Sequence, residues 1–160
     1  YDIMPSLVGS EMCIRDRRQG IEILAEVPTS PVLMTVDSGR IGQALDNLLS
    51  NAIKFTAAGG RVTASLREVD GAVELAVRDT GVGIPEDEQG MLFTRFFRAS
   101  TATRNAVPGV GLGLTITRAI VLAHGGSMDV TSREGVGTEF RMLLPVAPRT
   151  EAIQVVGRRS

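Results

Sequence analysis

RVTASLREVDGAVELAVRDTGVGIP, residues 61–85, decides between a helical chain and one built on a sheet. Residues 61–67 and 72–78 each alternate apolar and polar side chains, the period of a strand buried on one face. Between them Asp70-Gly71 supplies a tight turn, so the pair reads as an antiparallel hairpin. The second strand runs into Asp79, and Gly81 and Gly83 follow closely. A carboxylate just past a strand end, with a permissive backbone behind it, suits a turn that a flat ligand can approach. Such a carboxylate is costly to bury unless donors meet it, and an exocyclic amine on a heterocycle is one such donor. Asp-Thr-Gly is also a common plain turn, so this stretch alone leaves both readings open.

Upstream, residues 21–27 read as a strand, Pro28, Ser30 and Pro31 as a turn, and 32–36 (VLMTV) as a second strand. Asp37 and Ser38 are competent N-caps for the helix that follows. Ile41, Ala44, Leu45, Leu48, Leu49, Ala52 and Ile53 recur at spacings of three and four, an amphipathic helix that AAGG stops near Thr56. At about 100° per residue, Arg40, Gln43, Asn47, Asn51 and Lys54 fall within roughly 40° either side of Asn47. Solvated helix faces favour Glu and Lys, whereas this stripe carries two Asn at i,i+4 beside the apolar border. An Asn carbonyl is a neutral, hard ligand of the kind Mg²⁺ accepts alongside water and phosphate oxygens. Lys54, one turn on, places positive charge nearby.

Downstream, Pro85 predicts another helix over 86 to about 97, with acids in its first turn. Residues 99–108 lack periodicity and read as a mobile loop. Leu112, Ile116, Ala119, Ile120 and Ala123 mark a third helix, stopped by Gly125-Gly126, and strands follow at 127–132 and 137–144. Gly109, Gly111 and Gly113 alternate with Val110, Leu112 and Leu114 at the start of that third helix, where exposed N–H groups can cradle an anion. The pattern is neither the GxGxxG dinucleotide turn nor a Walker loop, since no GK[ST] occurs. The whole reads as a layered α/β domain with a largely antiparallel sheet and helices on one face.

Bulk properties narrow the classes. The 160 residues suit one domain, and 43% hydrophobic with 22% charged residues describe an ordinary globule. Seventeen basic against eighteen acidic residues give a net charge of −1, which excludes whole-domain attraction to nucleic acid or an anionic membrane. The single cysteine, Cys13, excludes an intrachain disulfide framework and a Cys-rich zinc site. No run approaches the roughly 18 apolar residues of a membrane span. Within the first 17 residues, SLVGSEMCIRDR resembles translated sequencing-adapter sequence, so 1–17 is expected to be a non-native or disordered leader. Residues 18–146 are then the domain and 147–160 a weakly ordered tail.

In order, these segments resemble the ATP-binding catalytic domain of sensor histidine kinases. That domain belongs to the GHKL superfamily shared with gyrase, the large heat-shock ATPase chaperones and the mismatch-repair MutL proteins. DNLLSNAIKFT is similar to the family's N box, DTGVGIP to its G1 box, LFTRFFR to its F box and GVGLGL to its G2 box. AHGGSM and GVGTEFRMLLP resemble its closing elements, so the likeness runs from about residue 19 to 145. The resemblance implies a two-layer α/β sandwich of a mixed, largely antiparallel five-stranded sheet with three main helices.

It further implies that Asn51 is the Mg²⁺ ligand, with Asn47 beside it on the phosphate side and Lys54 near the phosphates. These three are the expected catalytic set. Asp79 would accept from the adenine amine, helped by the backbone turn at Gly81 and Gly83, and Ile84 and Thr138 are further expected nucleotide-binding residues. Phe93, Phe96 and Phe97 would anchor a lid at 101–108, and Arg98 would reach the phosphates. Gly109, Val110, Gly111, Leu112, Gly113 and Leu114 would form the lid hinge and the phosphate-facing backbone.

By this resemblance the chain is a protein histidine kinase fragment of a bacterial two-component phosphorelay. It would use ATP and Mg²⁺ to phosphorylate a histidine on an upstream dimerisation domain, for relay to a response-regulator aspartate. It would be a cytoplasmic domain of a homodimer, with inner-membrane anchoring a property of the full-length protein. The one histidine, His124, lies at the third helix's C-terminus, where capping or packing is its expected role, so the fragment is not expected to phosphorylate itself. An amide at Asn47 has no useful basicity, which disfavours autonomous ATPase action. An anti-sigma-type serine kinase of the same superfamily is one alternative reading, and a nucleotide-binding scaffold or pseudokinase without catalysis is another.

Overall fold

The computed structural model describes residues 12–16, 20–104 and 112–146. Within them β1 (Met12–Asp16), β2 (Ile21–Glu26), β3 (Arg61–Val69), β4 (Ala72–Asp79), β5 (Ser127–Arg133) and β6 (Gly137–Pro145) form one sheet in the order β1-β2-β3-β4-β6-β5. Only β2 and β3 run parallel; every other neighbouring pair is antiparallel, so the sheet is mixed and largely antiparallel. Helices α1 (Ser38–Phe55) and α3 (Gly113–Ala123) are the long ones, and α2 (Ser100–Arg104) is short.

The sheet's inner face and α1 make the core. Val73, Leu75 and Val77 of β4 alternate inward beside Met142 and Leu144 of β6, and Ile41, Ala44, Leu45, Leu48 and Ala52 of α1 are buried against the same cluster. Each large apolar side chain buried this way contributes about 1.5–3 kcal/mol relative to exposure. α1 starts where an oxygen can cap it: Asp37 Oδ1 accepts the Arg40 N–H at 3.1 Å. The Asp37 N–H in turn donates to His124 Nε2 at 3.1 Å, and His124 Nδ1 lies 2.8 Å from the Ile120 carbonyl. The ring is therefore the Nδ1–H tautomer, and both nitrogens are used to tie the end of α3 to the start of α1.

Four expectations are corrected. The strand at 32–36 does not form beyond a single bridge at Leu33, because β1 and β3 already occupy both edges of β2. The segment instead leaves the sheet for the helix layer, and Met34 and Val36 drop into the core. The helix at 86–97 is a 3₁₀ turn over Glu86–Met91 followed by looser turns. EDEQG offers no apolar stripe, and Phe96 takes φ of 62°, which an α-helix does not contain. The loop at 99–108 includes α2, whose Thr101 and Ala102 are buried. Finally, a sixth strand, β1, joins the expected five at the edge of β2. Edge pairing uses backbone groups, so it needs no sequence period of the kind read for the other strands. The tail at 147–160 lies outside the described residues.

Candidate functional site

The polar stripe of α1 and the end of β4 meet at one cavity of about 290 Å³. Asn47, Ser50, Asn51, Lys54 and Phe55 of α1 line one wall, and Asp79, Thr138 and Phe140 reach it from the sheet. Val82, Gly83 and Ile84 bring in the turn after β4, and Leu112, Gly113 and Leu114 the start of α3. Leu92, Phe97, Arg98, Ala99, Thr101 and Ala102 close the remaining side. Asn51 and Asp79, expected to face one space, do so.

Asp79 is the electrostatic centre of the closed end. It is 7% exposed, and its carboxylate accepts the Gly81 N–H at 2.8 Å and the Thr138 N–H. Burial nevertheless outweighs these donors and pushes its pKa up to about 6. A ligand donor would offset that burial directly. The two glycines of the turn are demanded by close approach: a Cβ on Gly81 would lie 2.4 Å from the Phe55 carbonyl oxygen. At Gly83, φ is 70° and a Cβ would lie 2.1 Å from the Arg133 carbonyl oxygen. Thus the turn is wedged between the end of α1 and the β5–β6 hairpin.

Side chains complete the wedge. The Ile84 N–H donates to Ser132 Oγ at 2.9 Å, and Gln89 Nε2 donates to the Ser132 and Ile84 carbonyls at 2.9 and 3.1 Å. Thr101 Oγ1 donates to the Gly83 carbonyl at 2.9 Å, which fixes α2 to the same turn. Among the described residues no buried side-chain nitrogen or oxygen lacks a partner.

Other expected residues sit differently from one another. Asn47 lines the cavity, but its Nδ2 donates to the Thr117 hydroxyl at 3.3 Å and lies 3.5 Å from the Gly113 carbonyl, so its amide also fastens α1 to α3. Gly81 does not line the space; it holds the Asp79 carboxylate. Phe93 does not line it either. Its ring packs on the core with the Arg118 guanidinium 5.3 Å from its centroid, and its carbonyl accepts from Thr115 Oγ1 at 3.3 Å. Phe96 is 69% exposed and outside the cavity, whereas Phe97 lines it. Gly109, Val110, Gly111 and most of the expected lid at 101–108 lie outside the described residues. Sequence reading missed Thr101 as a tie between α2 and the turn, and missed Ser132; both act on that turn through partners 18 or more positions away, which no local pattern marks.

A larger cavity of about 690 Å³ lies on the opposite face of the sheet, lined by residues such as Ser65, Arg67, Glu74 and Arg78. It holds none of the expected residues, and its charges are already matched: Arg67 pairs with Glu74 at 2.8 Å and Arg78 with Glu139 at 3.1 Å. The smaller cavity is therefore the candidate site.

Known proteins resemble this chain in sequence and in fold. Residues 36–148 match the family described as histidine kinase-, DNA gyrase B-, and HSP90-like ATPase. The chain is 36% identical over 137 residues to the sensor histidine kinase WalK of Bacillus subtilis, covering 84% of this chain and 22% of WalK. The chain thus spans about a fifth of that relative. Among solved structures, the mycobacterial sensor histidine kinase MprB superposes with a TM-score of 0.73 at 38% identity, covering 81% of this chain and 87% of that one. Full-length ShkA, solved in complex with AMPPNP, gives a TM-score of 0.69 at 38% identity, with 82% of this chain and 27% of that one covered.

Proposed function

Since the chain belongs to the histidine kinase-, DNA gyrase B-, and HSP90-like ATPase family, we propose that it is the ATP-binding catalytic part of a two-component sensor histidine kinase. In this reading it transfers the γ-phosphoryl of ATP to a histidine on an upstream dimerisation domain, for relay to a response-regulator aspartate. The observation that carries the reading is the convergence of Asn51 and Asp79 on one cavity.

Asp79 accepts the exocyclic amine of adenine, and the turn at Gly81–Gly83 lets the flat base lie against backbone. Asn51, Lys54 and Arg98 then face the phosphates from one side and the start of α3 faces them from the other. Among the described residues no group of His, Cys, Asp and Glu converges as a metal cage. A single amide oxygen from Asn51 fits Mg²⁺ that shares its other ligands with water and phosphate. When bound there, Mg²⁺ supplies charge neutralisation for phosphoryl transfer. Asn51 and Lys54 hold the phosphates in position, which is most of what such a transfer asks of a protein. Asn47, with its Nδ2 fastened to α3, keeps the two helices at a fixed separation beside the phosphates.

His124 is no acceptor in this scheme, since both ring nitrogens are engaged at a helix junction. Among the described residues no helix is long and apolar enough to cross a membrane; anchoring in the inner membrane would lie elsewhere in the full-length protein. The test is calorimetry with Mg-ATP, followed by radiolabelled ATP with and without a supplied histidine-bearing dimerisation hairpin. The chain should bind Mg-ATP and label the hairpin but not itself. Acid-labile phosphate on His124, or indifference to Mg-ATP, would reject the proposal.

A further inference from the structure

Ser132 of β5 does not line the cavity, yet three atoms around its hydroxyl and one at its carbonyl connect it to the cavity's closed end. The Ile84 N–H points at Oγ from 2.9 Å, the Gly137 carbonyl lies at 3.0 Å and Thr138 Oγ1 at 2.7 Å. The fourth is the Ser132 carbonyl's own partner, Gln89, which holds this part of β5 in place.

A hydroxyl has one hydrogen and two lone pairs. The Gly137 carbonyl can only accept, so the Ser132 hydrogen goes to it; otherwise two acceptors would face each other at 3.0 Å. Ser132 Oγ then accepts from the Ile84 N–H and from the Thr138 hydroxyl, which fills it. The hydrogen of Thr138 is thereby turned away from the cavity, and Oγ1 keeps only lone pairs for a ligand. Thr138 stands directly opposite Asp79 across the β4–β6 pair, and both line the cavity.

We propose that Ser132 is a positioning residue that sets base selectivity: by taking the Thr138 hydrogen it leaves Thr138 Oγ1 as an acceptor beside the Asp79 carboxylate, a pair matched to the two hydrogens of a 6-amino group and opposed to a 6-oxo oxygen. The inference rests on the nucleotide reading above and deepens it. A purine with O6 in place of the amine sets an acceptor against this pair, its N1–H can satisfy only one of the two, and a buried polar group left unpaired is what gives a site strong discrimination. Freed from Ser132, the Thr138 hydroxyl rotates and donates into the cavity, which relieves the mismatch with O6.

The experiment is calorimetry of ADP and IDP, at fixed Mg²⁺, on the wild-type chain and on Ser132→Ala, Ser132→Thr and Thr138→Val. Wild type should favour ADP. Ser132→Ala should lower the ADP-to-IDP affinity ratio about tenfold, and Ser132→Thr, which keeps a hydroxyl, should retain it. Adding Ser132→Ala to Thr138→Val should change the ratio no further. If Ser132→Ala weakens both nucleotides equally, the side chain only braces Ile84 and the proposal is overturned. Should Ser132→Ala fail to fold, Ser132→Cys, close in size but a weak hydrogen-bonding group, takes its place with the same two outcomes. Wild-type protein that binds neither nucleotide would instead reject the nucleotide reading itself.

Discussion

At the end of the cavity that holds Asp79, the polar groups are pinned by backbone and side chains from several elements. Gly81 and Thr138 donate to the carboxylate, Ser132 and Gln89 fix the turn behind it, and Thr101 joins α2 to that turn. The opposite end is furnished by Asn51, half-buried, and by Lys54 and Arg98, which are exposed. A rigid acceptor can select a base because it cannot adapt to the wrong one, whereas long exposed cations follow a phosphate group as it moves. Under the proposed function this contrast is a division of labour: burial and hydrogen bonding build recognition, while solvent-facing charge is kept for the group being transferred.

The largest effect should come from breaking the rigid end. Asp79→Asn exchanges a charged acceptor for an amide and should weaken ATP binding about 10–150-fold, from a charge-assisted hydrogen bond worth roughly 1.5–3 kcal/mol. Near-normal affinity by calorimetry would remove Asp79 from base recognition. Protonation sharpens the same comparison. The pKa of Asp79 in the fold, about 6, lies above the ordinary 3.8. Its protonated form thus favours the ligand-free fold: this contribution is complete below pH 3.8 and is lost as pH rises through 6. At about 1.4 kcal/mol per pKa unit the loss amounts to about 3 kcal/mol at most. A bound amine favours the ionised form, so ADP affinity should rise as pH climbs through about 6. Denaturation and calorimetry across pH 4–8 should show both trends in wild type and neither in Asp79→Asn.

How far the sequence carried depends on the range of the forces involved. α1 and the β3–β4 hairpin were legible because their determinants are local: apolar spacing, an Asp cap and an Asp-Gly turn. Asn51 and Asp79 were legible because each is an awkward residue for its place, a mediocre helix former in a helix and a charge at a buried strand end. Residues 86–104 were misread because distant bonds shape them. Gln89 reaches Ser132, 43 positions on, and Thr101 reaches Gly83, 18 positions back. No periodicity encodes such pairs. Asn47 shows the middle case: its position in the stripe was readable, but its bonds to Thr117 and Gly113 of α3 were not.

A smaller effect is expected at the mouth. Asn51→Ala removes the amide oxygen proposed to meet Mg²⁺, so affinity for Mg-ATP should drop about tenfold while metal-free nucleotide binds nearly as before. Titration with and without Mg²⁺ separates the two contributions. Equal losses would mean that Asn51 acts by packing, and the mouth would then resemble the rigid end more closely than its exposure suggests.

Lys54→Ala should have the smallest effect, because an exposed ammonium retains most of its hydration and salt screens it. A loss of less than about fivefold in ATP affinity near 0.15 M salt is expected, growing as ionic strength falls and the screening length passes about 10 Å. Binding of adenosine, which carries no phosphate, should not change at all. That combination is specific to a mobile charge acting through solvent. A salt-independent loss shared by adenosine would instead mark Lys54 as part of the cavity's framework, and the contrast between a fixed base end and an adaptable phosphate end would not stand.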